Sequence, residues 1–372
     1  MSDPVPADQV HAAAVIRILD ATANRAAEAL RVVEDHARFV LDDPHLTEKW
    51  KGLRHDLTSV LTRLPAPLRA QCRQTLHDVG TSISTPTERQ RIDLNDVLSA
   101  NLARVQQALR ALEEYAKVPL APHFPDAATP HASFAETLSA ELEALRYRSY
   151  TLAAAMEVLR DSHDRLQSVR LMVLVEGQDT PQSLEQLVTS LFAAGVPAIQ
   201  LRDKLLTDRQ LLERARRLVD LARKQGALAI INDRADIAAA AQAHGVHLGQ
   251  DDLTVAQARR IVGPQMLIGV STHSLAQAQQ AVLDGANYLG VGPTFPSSTK
   301  DFDRFPGPEL LRGVSQHIRL PAFAIGGIAL SNLREVLRCG MTRIAAGKAI
   351  TAAPDPAGAA REMLQYVGQA IA

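Results

Sequence analysis

The chain is poor in the features that mark several large functional classes. It has eight Phe, five Tyr and one Trp in 372 residues, too few for the base-stacking platforms of single-strand nucleic-acid binders. No stretch approaches ~18 consecutive apolar residues, which excludes a membrane span. The two cysteines, Cys72 and Cys339, lie far apart without metal-ligand spacing. Free thiols in a reducing compartment are therefore expected. Lys and Arg number 40 against 41 Asp and Glu, a formal charge of −1. That balance excludes a general polyanion-binding surface and leaves only local basic sites. The opening MSDPVPADQV lacks a basic segment followed by an apolar one, so no secretory signal is expected and the cytoplasm is the default. What remains is an ordinary globular composition, 46% hydrophobic and 22% charged, with length for two domains.

The two halves differ in pattern. Residues 10–41 carry Val15, Ile18, Leu19, Ala26, Leu30, Val33 and Ala37 at a period near 3.6, which predicts a helix. Pro44 marks its stop. Further helices are expected over 45–64, ended by Pro65-Ala66-Pro67, and over 94–117 and 133–160. Residues 78–92, rich in Gly, Ser and Thr, and the proline-rich 119–131 read as loops. Ala29–Arg38 (ALRVVEDHAR) echoes Ala108–Lys117 (ALRALEEYAK), so a pseudo-symmetric helix pair is expected. The Arg31–Glu34 and Arg110–Glu113 spacings read as solvent-exposed helix pairs, with a ligand site as the alternative.

From about residue 169, short apolar runs alternate with helical segments. The runs are Leu171–Glu176, Ala198–Arg202, Leu228–Asp233, Gly245–Gly249, Leu267–Ser271, Tyr288–Gly292, Ala322–Gly326 and Arg343–Gly347. Continuous apolar strands separated by helices predict parallel pairing with both faces buried. Eight units over ~200 residues fit an α/β fold of the (β/α)8 TIM-barrel kind. A mainly α-helical N-terminal domain, 1–165, would precede the barrel, 166–372. An open doubly wound sheet is the competing fold, disfavoured because no Gly-rich dinucleotide turn follows the first strand.

Polar residues gather where these strands end, the place such barrels use for chemistry. Alternation in Gln200-Leu201-Arg202-Asp203-Lys204 puts Gln200, Arg202 and Lys204 on one face, a set suited to an anion with several oxygens. Surface salt bridges are the alternative. Asp233 and Asp252 end neighbouring strands and suit a hard cation such as Mg2+ shared with phosphate oxygens. They could equally be an acid/base pair, or one could cap a helix. Asp251 is one step out of phase and reads as a cap or surface residue. Ser297-Ser298-Thr299-Lys300 can cradle a phosphate or carboxylate. Gly326 and Gly327 permit close backbone approach. His247 and His273 read as hydrogen-bonded structural residues more readily than as acids or bases. Cys339 reads as packing.

Taken together these strings resemble the thiamine-phosphate synthase family. They are Gln200–Lys204, Ile231-Asn232-Asp233, Gly245–Leu253, Ile268–Ser271, Gly290–Pro293 through Thr299-Lys300, and Ala324–Ile328. The resemblance implies condensation of a 4-amino-2-methyl-5-pyrimidinylmethyl diphosphate with a hydroxyethylthiazole phosphate, with diphosphate released. It places Gln200, Arg202, Lys204, Asn232, Ser271 and Lys300 on the pyrimidine diphosphate, with Leu201 and Asp203 in the same string. It places Asp233 and Asp252 on Mg2+, and Ser297, Ser298, Thr299, Gly326, Gly327, Gly347 and Lys348 around the thiazole phosphate. Arg202, Lys204, Ser271 and Lys300 are the candidate catalytic residues. One departure is Ala346-Gly347-Lys348-Ala349-Ile350, where the family has a Val-Ser-Ala-Ile-like string. The cation at Lys348 either strengthens phosphate binding or alters substrate choice.

The first half resembles the N-terminal domain of extended members of this family, through Ile18–Phe39, Asp78–Thr81 and Ala100–Lys117. That resemblance implies a distinct class of hydroxymethylpyrimidine-phosphate kinase. No P-loop string is present, and a purely structural role is the alternative. The implied partners are small-molecule substrates, with neither nucleic acid nor membrane; a homo-oligomer stays open. A thiazole tautomerase using His273, and a non-catalytic thiamine-phosphate sensor, are the competing functions.

Overall fold

Apolar residues at helical spacing build the first part of the chain. The computed structural model describes residues 7–73, 90–119, 131–296 and 306–371. Two compact units are present, Met1–Ala153 and Ala154–Ala372. The helices are α1 (Ala7–Phe39), α2 (Pro44–Leu61), α3 (Ala66–Cys72), α4 (Leu94–Ala116) and α5 (His131–Leu166). The division falls inside α5. Pro44 occupies the first turn of α2, where its missing N–H costs nothing, and Asp43 caps that turn by accepting from Leu46 N at 2.8 Å. The Pro65-Ala66-Pro67 stretch ends one helix and opens another, because the same rule admits proline to the first turn of α3. Leu46, Trp50, Leu53 and Leu57 form the buried face of α2, each contributing about 1.5–3 kcal/mol.

The echoed segments behave differently from the solvent-exposed expectation. Arg31 and Arg110 are half exposed, but the Glu34 and Glu113 side chains are only 4% and 3% exposed. Glu34 follows Leu30 by four residues and precedes Ala37 by three, so it sits on the buried face. Glu113 has the same relation to Leu109 and Ala116. Each carboxylate takes a second arginine from another helix. Arg54 Nε donates to Glu34 at 2.8 Å, and Arg146 Nε to Glu113 at 2.6 Å. Those arginines sit in a second echo, Leu53-Arg54 and Leu145-Arg146. Each carboxylate is thus paired across helices, α1 with α2 and α4 with α5.

The second unit begins with the end of α5 and closes eight parallel strands into a barrel, β1 through β8 in sequence order. The strands are β1 (Leu171–Val175), β2 (Ala198–Leu201), β3 (Leu228–Asn232), β4 (Gly245–Leu248), β5 (Leu267–Thr272), β6 (Tyr288–Val291), β7 (Ala322–Ala324) and β8 (Ile344–Ala346). Between them run α6 (Pro181–Ala193), α7 (Asp208–Gln225), α8 (Ala235–Ala240), α9 (Val255–Val262), α10 (Leu275–Leu283), α11 (Gly307–His317) and α12 (Leu333–Arg338), with α13 (Lys348–Thr351) and α14 (Pro356–Ile371) after β8. Thr180, Thr207 and Thr254 start α6, α7 and α9 with capping boxes to Ser183, Gln210 and Gln257, which satisfy amide groups the first turn would leave unpaired.

Inside the barrel, Met172, Ala198, Ile230, Leu267, Tyr288, Phe323 and Ala345 form one apolar layer, with Leu166 and Val169 from the chain entering β1. The strand register fixes which residues follow. Two residues onward from this layer, the same face carries Leu174, Gln200, Asn232 and Gly290, with His247 paired to Asn232 and Ser271 paired to Gly290.

The buried arginine–carboxylate pair yields a first prediction. Arg146→Ala is expected to destabilise the protein by about 3 kcal/mol, because Glu113 stays buried after losing its one buried partner and keeps only the half-exposed Arg110 and Lys117. Arg63→Ala, which removes the exposed pair with Glu141, is expected to cost less than about 1 kcal/mol. Urea unfolding of the two variants checks both values.

Candidate active site

The C-terminal ends of the strands enclose a cavity of about 690 Å³. Gln200, Arg202 and Lys204 line it together, as the alternation after β2 requires. Asn232, Asp233, Asp252, Ser271, Gly326, Gly327, Gly347 and Lys348 line the same space. Leu201 and Asp203, also expected at the substrate, do not line it. Both are on the opposite parity, and each is committed elsewhere. Leu201 is fully buried in β2. The Asp203 carboxylate accepts from the backbone N–H groups of Gly177, Leu205 and Leu206 at 2.9, 2.8 and 3.1 Å. Burial alone would raise its pKa, but these donors hold it below the ordinary carboxylate value. Asp203 thereby ties the loop after β2 to the loop after β1. Ser297, Ser298, Thr299 and Lys300 lie outside the described residues.

Asn232 and Asp233 are consecutive, yet both reach the cavity. Asp233 has a φ of +62°, and this left-handed backbone brings its side chain out of the strand alternation. Such a conformation is uncommon outside glycine, but Asp and Asn tolerate it best. Asp252 comes from the loop after β4, held by a 2.6 Å hydrogen bond from Gly249 N. The two carboxylates face each other. Burial, then the hydrogen bond and charge of Asp252, push Asp233 up to about 6 against the opposing pull of Lys204 and Arg202. Lys204 Nζ stands 4.0 Å from Asp233 Oδ2. Among the described residues no group of three or more His, Cys, Asp or Glu could hold a metal ion. Two carboxylates alone are the donor set that Mg2+ takes when phosphate oxygens and water complete its shell.

The far arc of the mouth is built from backbone. Gly326 and Gly327 have φ of +92° and +66°. A Cβ on Gly326 would approach Pro293 Cα to 2.6 Å, so side chains are excluded there and the chain presents peptide groups. Lys348 is exposed at the start of α13.

Several lining residues were not singled out from the sequence. Glu176 and Gln178 follow β1, and Gln250 follows β4. Glu176 carried the same signal as the other strand ends, a polar residue just beyond an apolar run. Asp251 also lines the cavity. His247 is hydrogen-bonded, as expected, yet it too contributes to the wall. His273 lines the cavity with Nδ1 against Gly292 O.

The carboxylate pair makes a stability prediction. A folded-state pKa above the unfolded value of ~3.9 means that ionising Asp233 opposes folding. The penalty is absent below about pH 4, grows as pH rises towards 6, and is complete above that. Asp233→Asn, which suits the same backbone, is expected to stabilise the metal-free protein by about 1–2 kcal/mol at pH 7, allowing for partial solvent screening. The gain should vanish near pH 4. Urea midpoints in the presence of a chelator, measured across that range, check the sign.

Comparison with known proteins follows the same division of the chain. Residues 171–350 match the family model for thiamine monophosphate synthase, and residues 17–155 match that of the ThiD2 family. A thiamine-phosphate synthase of Rhodopirellula baltica is 44% identical over 340 residues, 89% of this chain and 87% of that protein. One from Thermosynechococcus vestitus is 41% identical, over 95% of each chain. Among solved structures, a thiamine phosphate pyrophosphorylase from Pyrococcus furiosus superposes with a TM-score of 0.51 at 35% identity, covering 55% of this chain and 98% of that one.

Proposed function

The chain belongs to the thiamine-phosphate synthase family, a family of transferases, and from that membership we propose how its barrel works. A 4-amino-2-methyl-5-pyrimidinylmethyl diphosphate and a hydroxyethylthiazole phosphate enter the cavity at the strand ends. The methylene carbon–oxygen bond of the pyrimidine breaks, and diphosphate departs with the electron pair. The thiazole nitrogen gives its lone pair to the methylene carbon. Thiamine phosphate and diphosphate are the products, and no protein nucleophile takes part.

The single observation that supports this reading is the convergence of Arg202 and Lys204 with the Asp233–Asp252 pair in one cavity. A departing diphosphate needs its growing charge met by fixed positive groups in a site with little water. Arg202 grips phosphate oxygens through two N–H groups, and Lys204 adds a mobile point charge. We assign Lys300 the same task, in the segment outside the described residues. Asp233 and Asp252 would hold Mg2+, which supplies further neutralisation of the leaving group. Gln200, Asn232 and Ser271 supply neutral hydrogen bonds for the aminopyrimidine. Gly326, Gly327, Gly347 and Lys348, with Ser297, Ser298 and Thr299, receive the thiazole phosphate. Lys348 adds a cation to that subsite.

The proposal extends to the first unit. Its match to the ThiD2 family over residues 17–155 supports a kinase-like region, which would phosphorylate the pyrimidine monophosphate and so supply the barrel's substrate. Incubating the full chain with ATP, Mg2+ and that monophosphate tests this; absence of the diphosphate product removes it. A cytoplasmic location belongs to the same proposal. No described helix is long and apolar enough to cross a membrane.

The decisive experiment combines the purified protein with both heterocyclic phosphates and Mg2+ and detects thiamine phosphate by mass. Chelation is expected to abolish product. Arg202→Ala is expected to lower kcat/KM by about 100-fold or more while shifting stability by less than about 0.5 kcal/mol. Product bound tightly without turnover would instead indicate a sensor.

A further inference from the structure

Behind Ser271 lie two polar side chains, His247 and Tyr288, to which the reaction gives no use. His247 is buried on β4, with Nε2 2.9 Å from Ser271 Oγ and Nδ1 3.2 Å from the Tyr288 hydroxyl. Tyr288 belongs to the apolar interior layer and is only 1% exposed. Two strand glycines leave the space these rings occupy. A Cβ on Gly269 would fall 2.1 Å from Tyr288 Cζ, and one on Gly290 would fall 2.9 Å from His247 Cε1. Phe323 supports the phenol ring from its other side, edge to face at 5.5 Å between centroids.

The direction of the hydrogen bonds follows from the buried end. Among the described residues, the Tyr288 hydroxyl meets no hydrogen-bonding atom except His247 Nδ1. Burial raises its pKa far above the ordinary value, so it keeps its proton. If Nδ1 carried a hydrogen and donated to the phenol oxygen, the phenol proton would be buried with no acceptor, the costlier arrangement. The phenol therefore donates to Nδ1. Burial pushes His247 down to about 4, so the ring is neutral and its one proton sits on Nε2. Nε2–H donates to Ser271 Oγ. The proton of Ser271 is then turned from His247 towards the cavity.

We propose that Tyr288 is a positioning residue: it fixes the tautomer of His247 and thereby makes Ser271 a hydrogen-bond donor to an acceptor atom of the bound heterocycle. On the functional proposal above, on which this inference rests, that acceptor is a ring nitrogen of the pyrimidine diphosphate. Without the phenol, the imidazole is free to accept from Ser271, and the hydroxyl then offers the ligand only lone pairs.

The test uses the full chain labelled with 15N-histidine, with His247 signals assigned by their loss in His247→Asn. Wild type is expected to show His247 protonated at Nε2 and unprotonated at Nδ1. Tyr288→Phe, which keeps the ring and removes the hydroxyl, is expected to lose that single tautomer. Its KM for the pyrimidine diphosphate should rise about tenfold, the size of one neutral hydrogen bond. Its kcat and its KM for the thiazole phosphate should change by less than about twofold. A wild-type Nδ1–H tautomer would overturn the proposal. So would an unchanged tautomer in Tyr288→Phe, or a changed tautomer with unaltered KM. Should Tyr288→Phe fail to fold, the wild-type spectrum still decides. Wild-type protein that makes no thiamine phosphate would instead sink the functional proposal, a result the nitrogen spectra do not depend on.

Discussion

Closure of eight parallel strands imposes the constraint from which the rest follows: along every strand, alternate residues must point into the barrel. One layer inward is apolar, from Met172 round to Ala345. Further along the same face come Gln200, Asn232, His247 and Ser271, and beyond β2 come Arg202 and Lys204. A single parity rule thus gives the barrel a solid floor and a polar mouth. The glycines of β4, β5 and β6 serve the same geometry. Gly245, Gly269 and Gly290 surrender their side-chain volume to Ile230, Tyr288 and His247.

The mouth carries local costs that the apolar floor does not. Asp233 departs from the parity rule through a left-handed backbone and faces another carboxylate across a half-buried space. Strain and like-charge repulsion at such a point weaken the fold locally. Lys204 and Arg202 offset the repulsion only in part. The remaining negative charge is what a divalent cation would neutralise on the proposed reading of the site. Asp203, one step out of phase with its cationic neighbours, supports the site indirectly by holding the β1 and β2 loops together.

The first unit uses charge in another way. Glu34 and Glu113 lie on the buried faces of duplicated helices, and each meets an arginine from a different helix. Taking these charges from water is costly, and only near-ideal pairing repays it. Such pairs tie one helix arrangement to one partner, because a shifted register leaves a carboxylate buried alone. Residue spacing held this information. Glu34 and Glu113 occupy apolar-face positions between Leu30 and Ala37 and between Leu109 and Ala116. The i, i+3 arginine drew attention to the exposed side of each helix, and the true second partner, some twenty or thirty residues away, could not be identified without the packing.

The chain's own residue order determined the eight apolar runs, their alternation with helices and the parity that gathers Gln200, Arg202 and Lys204. These are local properties, set by two- and 3.6-residue periods and by the residues that can start or stop an element. Strand ends read from sequence ran one or two residues beyond the paired segments at several places, because the polar residue that serves the mouth looks continuous with the run before it. Tertiary structure alone decided the burial of Glu34 and Glu113, the turn that lets Asp233 join Asn232 in one cavity, and the contact of Tyr288 with His247. Each depends on atoms brought together by barrel closure or helix packing, and distance in space between residues far apart in the chain is a quantity no local pattern contains.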